Sequence, residues 1–349
     1  MRSLILVASL LCLVPNVCGG DVAVGFSPFA STVIVARGET ESLSFHDREG
    51  RLVATRHGLR HPRRVVVSEA RFAVLDPIDN LLLIGDARKR TTHMLKMAGG
   101  PSAAVFSGGS LFVVLRDRNS LIRVGDDVEQ TVRCERDPAF IGENAGKIYV
   151  YSRIPGSLAE YDGSTLLQTR RMDLAPFASS MVIAGKKALL TYPGTGEIRT
   201  VFLNELATSS SVKVGATPID IVVITNRSVL SPESFAVADP ASKRIWRSDG
   251  KQSLSEAATR GFLRGFIGLG LSSPSSADFP TGIDRLWVAG NRMIALDSSE
   301  GVLYEAARGK SRRIATGVDA SAVAVSAGTV FFWSSTSSHL ELFGLALDM

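Results

Sequence analysis

Four arginines and two histidines crowd into nine residues: Arg56, His57, Arg60, His61, Arg63 and Arg64, with Gly58, Leu59 and Pro62 between them. Guanidinium groups grip carboxylate or phosphate through paired hydrogen bonds, and neighbouring histidines add a pH dependence. His57, Arg60, His61, Arg63 and Arg64 are therefore the candidate ligand-binding residues, for an anion. The plainer alternative is a solvated basic loop whose charges contact nothing. A second set is acidic. Asp220 and Asp319 precede or enter apolar runs, where carboxylates can hold a divalent metal such as calcium or act as general bases. Asp76, Asp79, Asp117 and Asp239 fall in turns and could add oxygen ligands, although Asp in a turn more simply caps it.

The familiar catalytic patterns are missing. The sequence has no Gly-x-Ser-x-Gly elbow, phosphate-binding loop, His-Glu-x-x-His pair or calcium loop. Of its five histidines, His46, His93 and His339 fall in or beside strand patterns, which leaves little for a hidden triad. Catalytic residues are thus unassigned.

The elements that must position these groups repeat. Pro62, Pro101, Pro138, Pro176 and Pro218 are spaced by 39, 37, 38 and 42 residues, and each leads a short apolar run. A period near 40 built from short strands is the sequence mark of a β-propeller, an all-β ring of four-stranded blades. One unit follows Pro218: an inner strand at 219–224, a second at 234–238, a turn at Asp239-Pro240, a third strand at 243–247, and a hairpin at Asp249-Gly250. The grammar recurs after Pro62 (64–67, 72–75, 81–84, 92–95) and after Pro101 (103–106, 111–115, 121–124, 131–134). Units also follow Pro138 and Pro176, and an unmarked first unit spans 22–55. A further unit lies in 255–315, with 266–271 as its expected inner strand and a Ser/Pro-rich loop at 272–280; a short last unit ends the chain. The count is eight blades, or seven if the stretch after Gly250 is an insertion or the terminal pieces share a blade. The link from an outermost strand to the next inner strand shares a face with the turn between second and third strands. Segment 56–64 is such a link, whereas Arg88-Lys89-Arg90 falls on the opposite face.

The segment Val214-Gly215-Ala216-Thr217-Pro218-Ile219-Asp220-Ile221-Val222-Val223 resembles the opening of a YVTN-type propeller blade, and 33–36 with 44–55 is similar to the rest of that repeat. Val237-Ala238-Asp239-Pro240-Ala241-Ser242-Lys243-Arg244-Ile245-Trp246 looks more like an NHL repeat. The resemblance spans most of 21–349 and implies the fold. For function it implies only a range, from lactonases, lyases and dehydrogenase subunits to plain binding scaffolds. Trp246, Trp287 and Trp333 are too few for the repeated tryptophan docking of quinoprotein dehydrogenases and read as blade-packing aromatics.

Residues 1–19 read as a signal peptide: Arg2, an apolar stretch over 4–14, and Val17 and Gly19 placed for a cut after Gly19. A retained anchor, or lipidation at Cys18, is the alternative. The propeller domain is then 20–349, secreted or periplasmic, with no transmembrane segment in the mature chain. Cys12 and Cys18 leave with the signal, so Cys134 stands alone and no intramolecular disulfide can form. The net charge of +5 falls by one when Arg2 leaves, a modest excess that favours acidic partners without implying specific nucleic-acid binding. The expectation is an exported binding module that takes a protein, glycan or small anionic ligand on channel-mouth loops, without a cofactor. The alternative is a lactonase-like metal-dependent hydrolase or a lyase, with Asp220 and Asp319 as metal ligands in the central channel.

Overall fold

Short strands broken by Asp, Gly and Pro turns fold into eight antiparallel sheets, each a simple meander. The structure, a computed structural model, describes residues 21–125, 128–224, 234–247, 282–289, 292–307, 310–326, 329–334, 337 and 339–345. The sheets are the eight blades of a propeller, six with four strands and two, blades 6 and 8, with three strands among the described residues. Their inner strands are Val22–Ser27, Arg64–Ser68, Pro101–Ser107, Pro138–Asn144, Ser180–Ala184, Asp220–Ile224, Arg285–Ala289 and Val318–Val325. The hairpins use the expected turn chemistry. Gly108 and Gly109, both left-handed at φ 55° and 82°, make the two-residue turn between the first two strands of blade 3.

What holds the ring is the two-residue period of the second strands, which sends alternate side chains to opposite neighbours. Ile34 and Ala36 pack with Phe72, Val74 and Leu83 of blade 2, while Val33 and Val35 pack with Ala322, Ala324 and Phe331 of blade 8. In blade 3, Leu111, Val113 and Leu115 meet Ala73 and Leu75 of blade 2, and Phe112 and Val114 meet Ile148 and Val150 of blade 4. Every adjacent pair of blades shares such a core, and the one between blades 8 and 1 closes the circle. There Phe26 stacks on Phe331 with ring centroids 5.1 Å apart, and Arg37 lies over Trp333. Among the described residues no strand from one end of the chain joins the sheet of the other, so packed faces close the ring. Gly25 permits the tight approach of blades 1 and 2, since a Cβ there would lie 2.4 Å from Cγ1 of Val65.

The eight-blade count holds, and the seven-blade alternative does not. One strand assignment changes. The inner strand of blade 7 is Arg285–Ala289, not 266–271, which lies outside the described residues along with the hairpin at 249–250. An apolar run alone does not say which of two such segments forms the inner strand. Trp246, Trp287 and Trp333 each pack against an inter-blade core, as expected. Cys134 is a buried free thiol at the blade 3–4 interface, pushed up to about 11 by its burial. No helix among the described residues is long and apolar enough to cross a membrane.

Candidate functional site

Each inner strand starts at the face that carries the blade-to-blade links, so its first side chain stands at the mouth of the central channel. Register makes four of these positions equivalent. Arg64 pairs with Leu75, Ser180 with Thr191, Asp220 with Ala238 and Arg285 with Leu296, each one residue short of the end of the second strand. Blades 2, 5, 6 and 7 therefore bring Arg64, Ser180, Asp220 and Arg285 to one level.

Blades 2 and 6 are opposite in a ring of eight, yet Arg64 feels the charges of Arg285 and Asp220. Its side chain must then reach into the channel, where it meets solvent and is nonetheless surrounded by protein. That crowding, together with the like charge of Arg285, depresses the Arg64 pKa, and Asp220 only partly offsets this. Asp220 is already engaged. It accepts hydrogen bonds from Ser180 Oγ (3.1 Å), from the Leu286 N–H (3.0 Å) and from the N–H of Ile221 (3.0 Å), bridging blades 5, 6 and 7. Burial pushes its pKa up against the pull of Arg285 and these donors. Neither Arg64 nor Arg285 has a hydrogen-bond acceptor among the described residues. Arg64 and Arg285 thus bring unused donors to a mouth where the nearby carboxylates described, Asp220 and, beside Arg285, Asp284, are already hydrogen-bonded.

Three others of segment 56–64 are neutralised locally, while Arg56 donates to the carbonyls of Arg90 and Thr55. Arg60 Nε lies 2.9 Å from Glu41, His61 Nδ1 lies 2.5 Å from Asp21, and Arg63 lies 3.1 Å from the other oxygen of Asp21. The hydrogen bond to Asp21 raises the His61 pKa. These pairs lash the link to blade 1. His57 ends the outer strand of blade 1 and is exposed. Of the five candidates only Arg64 enters the channel. Arg285 was missed because the inner strand it begins was expected at 266–271, although Asp284-Arg285 stands before Leu286-Trp287-Val288 much as Arg63-Arg64 stands before Val65-Val66-Val67.

The turn aspartates act as staples. Asp76, Asp239 and Asp297 end the second strands of blades 2, 6 and 7 and are wholly buried. Asp76 accepts the N–H groups of His61, Ile78 and Asp79 at 2.9–3.1 Å, tying the incoming link to the turn. Asp239 does the same for Ala216 and Thr217, each at 3.0 Å, and its carboxylate fills the space where a side chain at Gly215 would sit. Burial alone would raise the Asp239 pKa, but these donors, with Ser242 and Trp246, hold it below the usual range. Asp117 takes the N–H of Gly100 at 3.1 Å, while Asp79 sits in the blade 2 turn. Asp319 lies in the inner strand of blade 8, with its side chain outside the described residues. Among the described residues no three His, Cys, Asp or Glu side chains converge as a metal-holding group.

No protein-family model matches this chain, and no curated protein matches it. Solved structures do. A computationally designed protein, Ika8, is similar with a TM-score of 0.68 at 8% identity, over 94% of this chain and 97% of that one. Hydrazine synthase of Kuenenia stuttgartiensis is similar with a TM-score of 0.57 at 11% identity, over 95% and 96%. The Pan2 WD40 domain of Neurospora crassa gives 0.57 at 9%, over 80% and 87%. At such identities the likeness is one of fold.

Proposed function

We propose that this protein is an exported binding module that captures an anionic group of its ligand, a protein, a glycan or a small anion, at the channel mouth. The observation that carries this reading is the pair Arg64 and Arg285, two guanidiniums at one level of the channel with no protein acceptor. A carboxylate, sulfate or phosphate between them would satisfy their donors and relieve their mutual repulsion. Arg60, His61 and Arg63, already paired, shape the rim, and Arg64 is the residue of that segment that meets the anion. The repeats are read as YVTN/NHL-type and residues 1–19 as the export signal, on the sequence features given above.

Calorimetric titration with sulfate and citrate, at low and high salt, tests the site. Expected is saturable, salt-weakened binding that falls roughly 10- to 100-fold for each of Arg64→Ala and Arg285→Ala. An Arg60→Ala/Arg63→Ala variant should bind nearly as the wild type does. Binding that ignores Arg64 and Arg285 overturns the reading. The lactonase-like or lyase alternative gains instead if calcium raises the melting temperature and Asp220→Asn abolishes the effect.

A further inference from the structure

On the same face, a cleft of about 630 Å³ lies between blades 2, 3 and 4, lined by Pro77, Ser102, Arg116, Asp117, Arg136 and Asp137, with Gly100 and Asn119 in its floor. Its inner end is Ser102, near the start of the inner strand of blade 3, beside the blade that carries Arg64. The cleft therefore opens toward the channel mouth. On its far side Arg153 lies 5.5 Å over the Phe140 ring, close enough to Arg116 and Asp137 to feel both charges. Arg116 is paired with Asp137. Arg136, exposed, and Arg153 have no carboxylate partner among the described residues.

The lining alternates charge. The guanidiniums of Arg116 and Arg136 stand among the carboxylates of Asp117 and Asp137 and the amide of Asn119, whose oxygen accepts the Asp137 N–H at 2.9 Å, and Arg153 lies beside the lining within reach of the Arg116 and Asp137 charges. A chain with a phosphate on every unit would meet those carboxylates at close range. An acidic peptide would find no apolar side chain beyond Pro77 against which to pack. A ligand whose negative charges are separated by hydroxyl-bearing neutral units suits both features, because hydroxyls donate to Asp and accept from Asn and Arg.

We propose that the cleft is a second subsite continuous with the channel mouth, and that the ligand is an acidic oligosaccharide with carboxylates spaced by neutral sugars. One carboxylate would sit between Arg64 and Arg285 and another at Arg136 and Arg153. This rests on the anion site proposed above and names its ligand class.

The test titrates glucuronate, then hyaluronan tetra-, hexa- and octasaccharides, into the wild type, Arg136→Ala/Arg153→Ala and Arg64→Ala/Arg285→Ala. Glucuronate should bind weakly, depend on Arg64 and Arg285, and ignore Arg136 and Arg153. Affinity should climb roughly 100-fold once the oligosaccharide spans both subsites, and Arg136→Ala/Arg153→Ala should erase only that climb. Because Arg153 also covers Phe140, Arg136→Glu, a fully surface change, is run in parallel and should blunt the climb as well. Affinity that is flat with length while glucuronate still needs Arg64 overturns the second subsite and spares the mouth. Absence of glucuronate binding overturns both. Tighter binding of a single-stranded DNA or polyglutamate peptide of equal charge overturns the ligand class.

Discussion

Replacing Asp220 by asparagine should tighten the hold of the channel mouth on an anion. The carboxylate acts on both Arg64 and Arg285, whereas that of Asp284 acts on Arg285, and three hydrogen-bond donors keep Asp220 fixed. Asparagine keeps one oxygen for the Leu286 N–H and turns its NH2 to Ser180 Oγ, which can accept, so the contacts to blades 5 and 7 survive and only the Ile221 N–H loses its acceptor. With an effective dielectric near 20, like charges cost about 4 kcal/mol at 4 Å and about half that at twice the distance. Channel water screens this further, leaving a gain of about 1–2 kcal/mol, or roughly five- to thirtyfold in affinity. The sign with pH follows from the raised Asp220 pKa. As pH falls toward that pKa the carboxylate takes up a proton, the repulsion fades, and wild-type affinity rises. The same raised pKa favours the folded state progressively as pH falls from above it to the ordinary Asp value. Sulfate is the suitable probe because it stays doubly charged from about pH 4 to pH 8, and titration across that range reads both effects. His61 also gains charge in acid, and Asp284 beside Arg285, its pKa raised by burial, takes up a proton too, so the comparison is with Asp220→Asn, which should lose the part of the slope owed to the Asp220 carboxylate. An Asp220→Asn protein that binds sulfate no better than wild type, with an unchanged slope, refutes the reasoning.

Other outcomes follow from the packing and the rim. Phe331, 1% exposed and stacked on Phe26, should cost about 3–5 kcal/mol when cut to alanine, comparable to Phe72→Ala at an internal blade interface; urea denaturation compares them. A much smaller loss at Phe331 would mean that the ring does not close there. Gly25→Val should destabilise by about 1–3 kcal/mol, since its first side-chain atom would overlap Val65, and near-neutral melting would contradict that contact. The raised His61 pKa adds stability that is fully present below the ordinary imidazole value and lost as pH rises through the higher folded one. Wild-type melting temperature should accordingly fall more than that of His61→Asn between about pH 6 and pH 8. Cys134, buried with its thiol pushed up to about 11, should resist iodoacetamide at pH 8 until the protein is unfolded; mass spectrometry gives the answer.

The architecture was legible because its punctuation is local. A proline or polar link, an apolar run and an Asp-bearing turn recur at one period, and the strands Arg64–Ser68, Leu81–Asp86, Ser110–Leu115 and Ser120–Val124 fall within a residue or two of where that rhythm puts them. Arg64 was legible as chemistry for the same reason: it stands out beside its sequence neighbours. What the sequence hid is set by closure of the ring. Asp21 and Glu41 neutralise His61, Arg63 and Arg60 across separations of 19 to 42 residues, and Arg64 meets Asp220 and Arg285 only because opposite blades share a channel. Arg285 was further masked because the apolar composition of 266–271 answers to the inner-strand pattern as well as 285–289 does. Of the aspartates grouped as possible ligands, Asp76, Asp117 and Asp239 proved to be backbone staples, because a turn exposes N–H groups that a carboxylate satisfies.

A crystal structure of the protein grown with citrate bears most directly on all of this. Expected is a closed ring of eight blades with citrate density at the channel mouth, its carboxylates on the guanidiniums of Arg64 and Arg285 and Asp220 still held by Ser180 and Leu286. Guanidiniums found on protein carboxylates, or residues 64 and 285 turned to separate faces, would contradict it.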